Sequence, residues 1–174
     1  MSDFQSIHDK LLHDLRRKTA QFVPVAFHVH SPDSHDWPSG KNIDKSLNDR
    51  TSYLQTDGEK QFLEHLASHF RVTCITDHMK TVYACRLVQA AKDRDDILVL
   101  PGMEVNCRPG GGMNERIHLL TIFPPDHDST TIDRIFSGQP QLPASESRTG
   151  QEEYVPPDTL TKWIHSIHEA GGIV

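Results

Sequence analysis

The sequence has no run of 18 apolar residues, so nothing in it reads as a membrane-spanning helix and no membrane partner is expected. The opening Met1-Ser-Asp-Phe-Gln lacks the basic-then-apolar pattern of a secretory signal. Cysteine is sparse and odd in number: Cys74, Cys85 and Cys107 are scattered and form neither a metal knuckle nor a disulfide framework. That usage fits a reducing compartment, and a cytoplasmic location is the expectation. Positive charge is short as well, with 18 Lys and Arg against 24 Asp and Glu and a net charge of −6. A protein that grips a nucleic-acid backbone carries a basic excess instead. Bound divalent ions would add local positive charge that composition does not count, so a phosphate substrate stays open. Neither a G-x-S-x-G nucleophile turn nor a Walker A loop is present.

What the chain has in surplus is histidine, 12 in 174 residues. Histidine is the commonest metal ligand and a general acid or base, so position decides what the surplus means. A hydrophobic fraction of 36% and a charged fraction of 24% suit one globular domain with a core.

Phe4, Ile7, Leu11, Leu12 and Leu15 recur at helical spacing and predict an amphipathic helix over 3–18, within an N-terminal extension over 1–22. The domain proper is expected over 23–174. Short β-rich apolar runs predict strands at 25–30, 72–76, 97–100 and 117–123. Helices are expected at 58–70, 81–94, 129–137 and 158–170, the last stopped by Gly171-Gly172. Two long polar loops, 31–57 and 138–157, complete the pattern. Strands alternating with helices imply an α/β fold with a parallel sheet or barrel. The helix, the Gly-Gly stop and the apolar Ile173-Val174 look like the approach to a further strand, so a domain cut short is expected.

His28 and His30 lie two apart on a predicted strand, where alternate side chains share a face. Two imidazoles on one face can chelate a metal; two polar residues facing solvent is the alternative. Asp77 and His78 directly follow the second predicted strand, and Glu104 follows the third in Pro101-Gly-Met-Glu. Three successive strands thus deliver histidine or carboxylate to the C-terminal edge, where α/β sheets and barrels keep their sites. Histidine with carboxylate and no cysteine suits Zn, Mn or Fe.

The order His28-Val-His30-Ser, Thr76-Asp77-His78, Pro101-Gly-Met-Glu104 and His118-Leu-Leu resembles the PHP (polymerase and histidinol phosphatase) superfamily, from about Val25 onward. With His30-Ser-Pro-Asp-Ser-His35 and Ile117-His-Leu-Leu-Thr-Ile-Phe123, it is most similar to PHP domains at the front of bacterial AAA-like ATPases. The resemblance implies a distorted (β/α)7 barrel, incomplete here at its C-terminus, with two or three divalent ions. His28 and His30 would bind the first ion and Glu104 would bridge two. His78 would bind a third, with Asp77 either as a ligand itself or as a partner that orients a ligand. His35 stands where many relatives have an aspartate and is a further ligand on this reading. His118 matches a family histidine, although it sits at the start of its strand rather than the end. On this resemblance the late Ala-His-Pro and Asp-x-His motifs of the family would be expected beyond Val174.

The implied activity is hydrolysis of a phosphate ester by metal-activated water. The substrate would be a phosphorylated small molecule or a nucleic-acid end, and a C-terminal ATPase or other domain the partner within a longer protein. Arg108 and Arg116, flanking Gly110-Gly-Gly112, are candidate phosphate contacts, with solvated arginines as the plainer reading. A non-catalytic metal-binding module is the second functional class. An amidohydrolase, which would use a bridging lysine, is the third, and Lys80 lies just outside the motif. Trp37 is either a cover over the site or an anchor for the first long loop. The pairs His8/His13, His65/His69 and His165/His168 read as solvated helix faces, and His127 as part of an acidic loop.

Overall fold

The computed structural model describes residues 9–10, 22–34, 37, 56–107, 117–136 and 157–174. The expected helix over 3–18 falls outside these except for Asp9 and Lys10, which are helical. His8, His13, His35, Arg108, Arg116, the triple-glycine stretch and most of both long loops also lie outside the described residues.

The elements run β1 (Val25–Val29), α1 (Thr56–His69), β2 (Val72–Ile75), α2 (Val82–Ala91), β3 (Leu98–Cys107), β4 (Ile117–Ile122), α3 (Ser129–Ile135) and α4 (Pro157–Glu169). The four strands form one mixed, strongly curled half-barrel sheet in the order β1-β2-β3-β4. β1 with β2 and β2 with β3 are parallel, while β3 with β4 is antiparallel.

That antiparallel pair corrects the expectation of a parallel sheet. Nine residues separate Cys107 from Ile117, and a parallel return needs a crossover of about a dozen or more. β3 is also longer than the expected 97–100. Pro101-Gly102 reads as a strand end because proline lacks a donor and glycine packs nothing. Here it is a change of partner: Leu98–Pro101 pair with β2, and Gly102–Cys107 pair with β4. Glu104 therefore lies within a strand, not after one.

Helices cover one face of the sheet. Phe62, Leu63 and Leu66 of α1 and Tyr83, Ala84, Leu87 and Val88 of α2 pack on Ile75, Ile97 and Val99. Ile132 and Phe136 meet Trp163 and Ile167 of α4 over Met103 and Val105. Trp37 packs edge-on against Phe62, with centroids 5.6 Å apart, at the edge of this core. Two local devices fix the ends of the last two helices. Asp128 caps α3 by accepting from the Thr131 N–H at 2.7 Å. α4 stops as its glycines suggest: Gly171 takes φ +78, and the Gly172 N–H reaches the Ile167 carbonyl at 2.8 Å. Ile173 then exchanges two backbone hydrogen bonds with Ile122, both 2.9 Å. Among the described residues no helix is long and apolar enough to cross a membrane.

Candidate metal centre

The sheet face turned from the helices carries the site. Met103 and Val105 enter the helix-facing core, so strand alternation sends Glu104 the other way. β1 reaches the same face through an irregularity. Ala26 pairs with Thr73 but Val29 pairs with Ile75, so three steps on β1 match two on β2. This bulge shifts the alternation by one residue. Ala26 shares the face of Thr73, and His28 and His30 both emerge on the face of Glu104.

Glu104 is the hub. Its side chain is buried, and its Oε2 lies 2.9 Å from His28 Nε2, 2.7 Å from His30 Nε2 and 3.6 Å from His78 Nε2. Its Oε1 meets His118 Nδ1. Imidazole rings follow one another round it: His28 to His30 at 5.0 Å between centroids, His30 to His78 at 4.9 Å, His78 to His118 at 5.2 Å. Two triads result, His28-His30-Glu104 and His78-Glu104-His118, each with ligand atoms within 4.8 Å of one another and able to hold a metal ion. Burial pushes the Glu104 carboxyl up, but the His30 contact, the His78 charge, the His28 contact and the His118 charge together hold it down at about 2. The acid is ionised throughout the neutral range, as a ligand must be.

His118 joins because of strand direction. β4 runs against β3, so its first residues lie beside the last residues of β3. A histidine at the start of an antiparallel strand thereby meets histidines at the ends of parallel ones.

His78 depends on an unusual backbone. Met79 has φ +51, a region that side chains other than glycine seldom adopt. The reversal leaves His78 bridged to Glu104 while Met79 packs in the helix-facing core. The Met79 N–H donates to the Glu104 carbonyl at 3.0 Å, and the Glu104 N–H to the Asp77 carbonyl at 3.1 Å.

Asp77 belongs to neither triad. Its Oδ1 and Oδ2 accept from Ser31 N–H at 2.6 Å and from the Ser31 hydroxyl at 2.5 Å. The Ser31 hydroxyl in turn accepts from the Asp33 N–H at 3.0 Å, and the Ser34 hydroxyl lies 3.5 Å from His30 Nδ1. The turn after β1 therefore ties the end of β1 to the end of β2 and touches the far nitrogen of His30, as outer partners of metal-binding histidines do. Ser31 and Ser34 were not singled out by sequence. The signal for Ser31 was its place directly after His28-Val-His30.

Burial pushes the Asp77 carboxyl up from 3.8 to about 6, against the two Ser31 hydrogen bonds and the His30 charge, with Asp33 adding to the rise. A raised acid contributes stability that is full below pH 3.8 and is lost as pH rises through about 6. In the metal-free chain, Asp77→Asn is expected to gain stability relative to wild type across that window. Urea midpoints at pH 4, 5, 6 and 7 check this, and parallel profiles for the two proteins would contradict it.

Cys74 is fully buried, and burial pushes its thiol up to about 12, so it offers no thiolate ligand at neutral pH. Lys80 is engaged with Asp33, its ammonium 3.3 Å from that carbonyl and 3.8 Å from Oδ1. His65 and His69 form an exposed pair on α1, His165 pairs with Glu169, and His127 stacks on Phe123 beside Asp126.

No family model matches the chain, and no curated protein matches it. The site therefore rests on its own geometry.

Proposed function

We propose that this chain carries the metal centre of a PHP-type phosphoesterase, hydrolysing a phosphate ester within a larger barrel to which the half-barrel sheet belongs. The observation that carries the reading is Glu104, one buried carboxylate common to both triads, with Oε2 facing His28, His30 and His78 and Oε1 facing His118. A carboxylate so shared is suited to bridging two divalent ions, for which an all-nitrogen and oxygen donor set favours Zn, Mn or Fe. Such ions, when bound, would lower the pKa of water to about 7 and would supply Lewis-acid stabilisation to a displacement at phosphorus.

The chain's own residues have narrower tasks. His28 and His30 would hold one ion and His78 and His118 the other, with Glu104 between. Asp77, through Ser31, fixes the spacing of the β1 and β2 ends. No side-chain nucleophile is required, and the nearby Ser31 hydroxyl is committed to Asp77. A phosphorylated small molecule or a nucleic-acid end is the proposed substrate class. A net charge of −6 favours ions at the site over a basic surface as the source of phosphate affinity.

Elemental analysis after dialysis against Zn, Mn or Fe, with hydrolysis of p-nitrophenyl phosphate, tests the proposal. The double substitution His28→Ala/His30→Ala is expected to lose one equivalent of metal and the hydrolysis. Unchanged metal content in that variant would remove the first triad from the site. Uptake without hydrolysis of any phosphate ester would favour a non-catalytic metal-binding module.

A further inference from the structure

We infer that the carboxamide of Asn106 is a phosphate-positioning group, set beside the ion cluster to hydrogen-bond an oxygen of the bound phosphoryl group. This rests on the phosphoesterase reading and goes beyond it by naming a group that touches substrate without binding metal.

Placement comes first. Met103 and Val105 point into the helix-facing core, so Glu104 and Asn106 share the opposite face of β3. Across the strands Asn106 stands opposite His118, and opposed side chains of an antiparallel pair lie about 5 Å apart at Cβ. His118 itself meets Glu104 Oε1. Asn106 is therefore a direct neighbour of the second triad and belongs to neither.

Its environment is the second observation. Asn106 is only 1% exposed, and its Oδ1 has no hydrogen-bond partner among the described residues. Folded proteins seldom leave a buried amide oxygen without a protein, water or ligand partner. A leucine has similar volume and would occupy the place without that cost. The buried threonines Thr73 and Thr76 also lack hydroxyl partners. Their methyls pack, however, and a hydroxyl is one small group, whereas a carboxamide presents two polar atoms.

The chemistry fits an oxyanion. Oδ1 as placed can only accept, so the donor role requires the carboxamide turned about its last bond, which puts its N–H2 group where the unpartnered oxygen stands. Phosphoryl oxygens accept hydrogen bonds, and a neutral donor binds one without repelling the cations beside it. Aspartate at this position would keep the shape and reverse the effect.

The test uses the 174-residue chain as wild type, Asn106→Leu and Asn106→Asp, each loaded with Zn2+. Metal content, calorimetric affinity for inorganic phosphate and the melting temperature of the metal-free form are measured. Asn106→Leu is expected to keep its metal, bind phosphate about tenfold or more weakly, and melt no lower than wild type. Asn106→Asp is expected to bind phosphate more weakly still. Phosphate affinity in Asn106→Leu within about twofold of wild type, less than one hydrogen bond to a charged group contributes, would overturn the inference. If that variant fails to fold, the near-isosteric Asn106→Asp decides, and unimpaired phosphate binding there overturns it equally. Absence of metal from the wild type would sink the phosphoesterase reading and this inference together. Metal uptake with unchanged phosphate affinity would sink this inference alone.

Discussion

Glu104→Gln is expected to empty both triads at once. The substitution keeps the shape of the side chain and leaves an amide able to hydrogen-bond the surrounding imidazoles, so the fold should survive. What it removes is the charge, from the single residue that both triads contain. Loss of outer-shell partners typically weakens metal binding by about 10- to 100-fold, and loss of a shared anionic ligand should exceed that at both positions. His28→Ala and His118→Ala each touch one triad and should each remove one equivalent. Metal stoichiometry at fixed free metal separates the two patterns. Retention of one full equivalent in Glu104→Gln would mean that the triads do not share their carboxylate. A second signature appears without metal. The depressed carboxyl stabilises the fold above its ordinary value of 4.5, and that contribution is lost as pH falls toward about 2. Acid unfolding of Glu104→Gln should lack this component.

Gly102→Ala should be the most damaging small substitution in the sheet. A Cβ at Gly102 would lie 2.5 Å from Cys74 Sγ, 2.6 Å from the Thr121 carbonyl oxygen and 2.9 Å from Thr76 Cγ2. The carbonyl belongs to the strand paired with β3 and cannot swing aside, so β3 and β4 must separate. Overpacking of a core costs about 1–3 kcal/mol and occasionally more, and a clash with backbone belongs at the top of that range. For a chain of this size about 3 kcal/mol lowers the melting temperature by roughly 6–12 °C. Metal affinity should fall too, because Glu104 and His118 sit on the two strands forced apart. Gly171→Ala is the control. It meets only Pro124 Cγ at 3.6 Å and suffers instead from φ +78, a strain of about 1–2 kcal/mol, remote from the ligands. Equal melting temperatures and equal metal affinities for the two variants would contradict this account.

Much of the fold was legible because it depends on neighbours in sequence. Apolar spacing marked α1, α2 and α4, and Gly171-Gly172 marked the end of α4 because a helix stop is a local event. The ligand set was partly legible for the same reason, since His28-Val-His30 ends one predicted strand and Asp77-His78 directly follows the next. β3 was read short because Pro101-Gly102 signals an end to any single strand. Only the handover from β2 to β4 explains why the strand continues.

The sequence by itself offered the donors, five histidines, one aspartate and one glutamate with no cysteine among them, of which His28, His30, His78, His118 and Glu104 make up the two triads. Tertiary structure decided how they meet. The antiparallel course of β4 brought the start of one strand to the end of another and so admitted His118. The bulge between Ala26 and Val29 shifted the alternation of β1 and turned His28 onto the face of Glu104. Burial of Asp77 against Ser31 set it outside both triads. The physical reason is that side-chain alternation is local and fixed by the backbone. Strand direction, pairing partner and the position of a bulge are fixed by contacts between segments far apart in the chain.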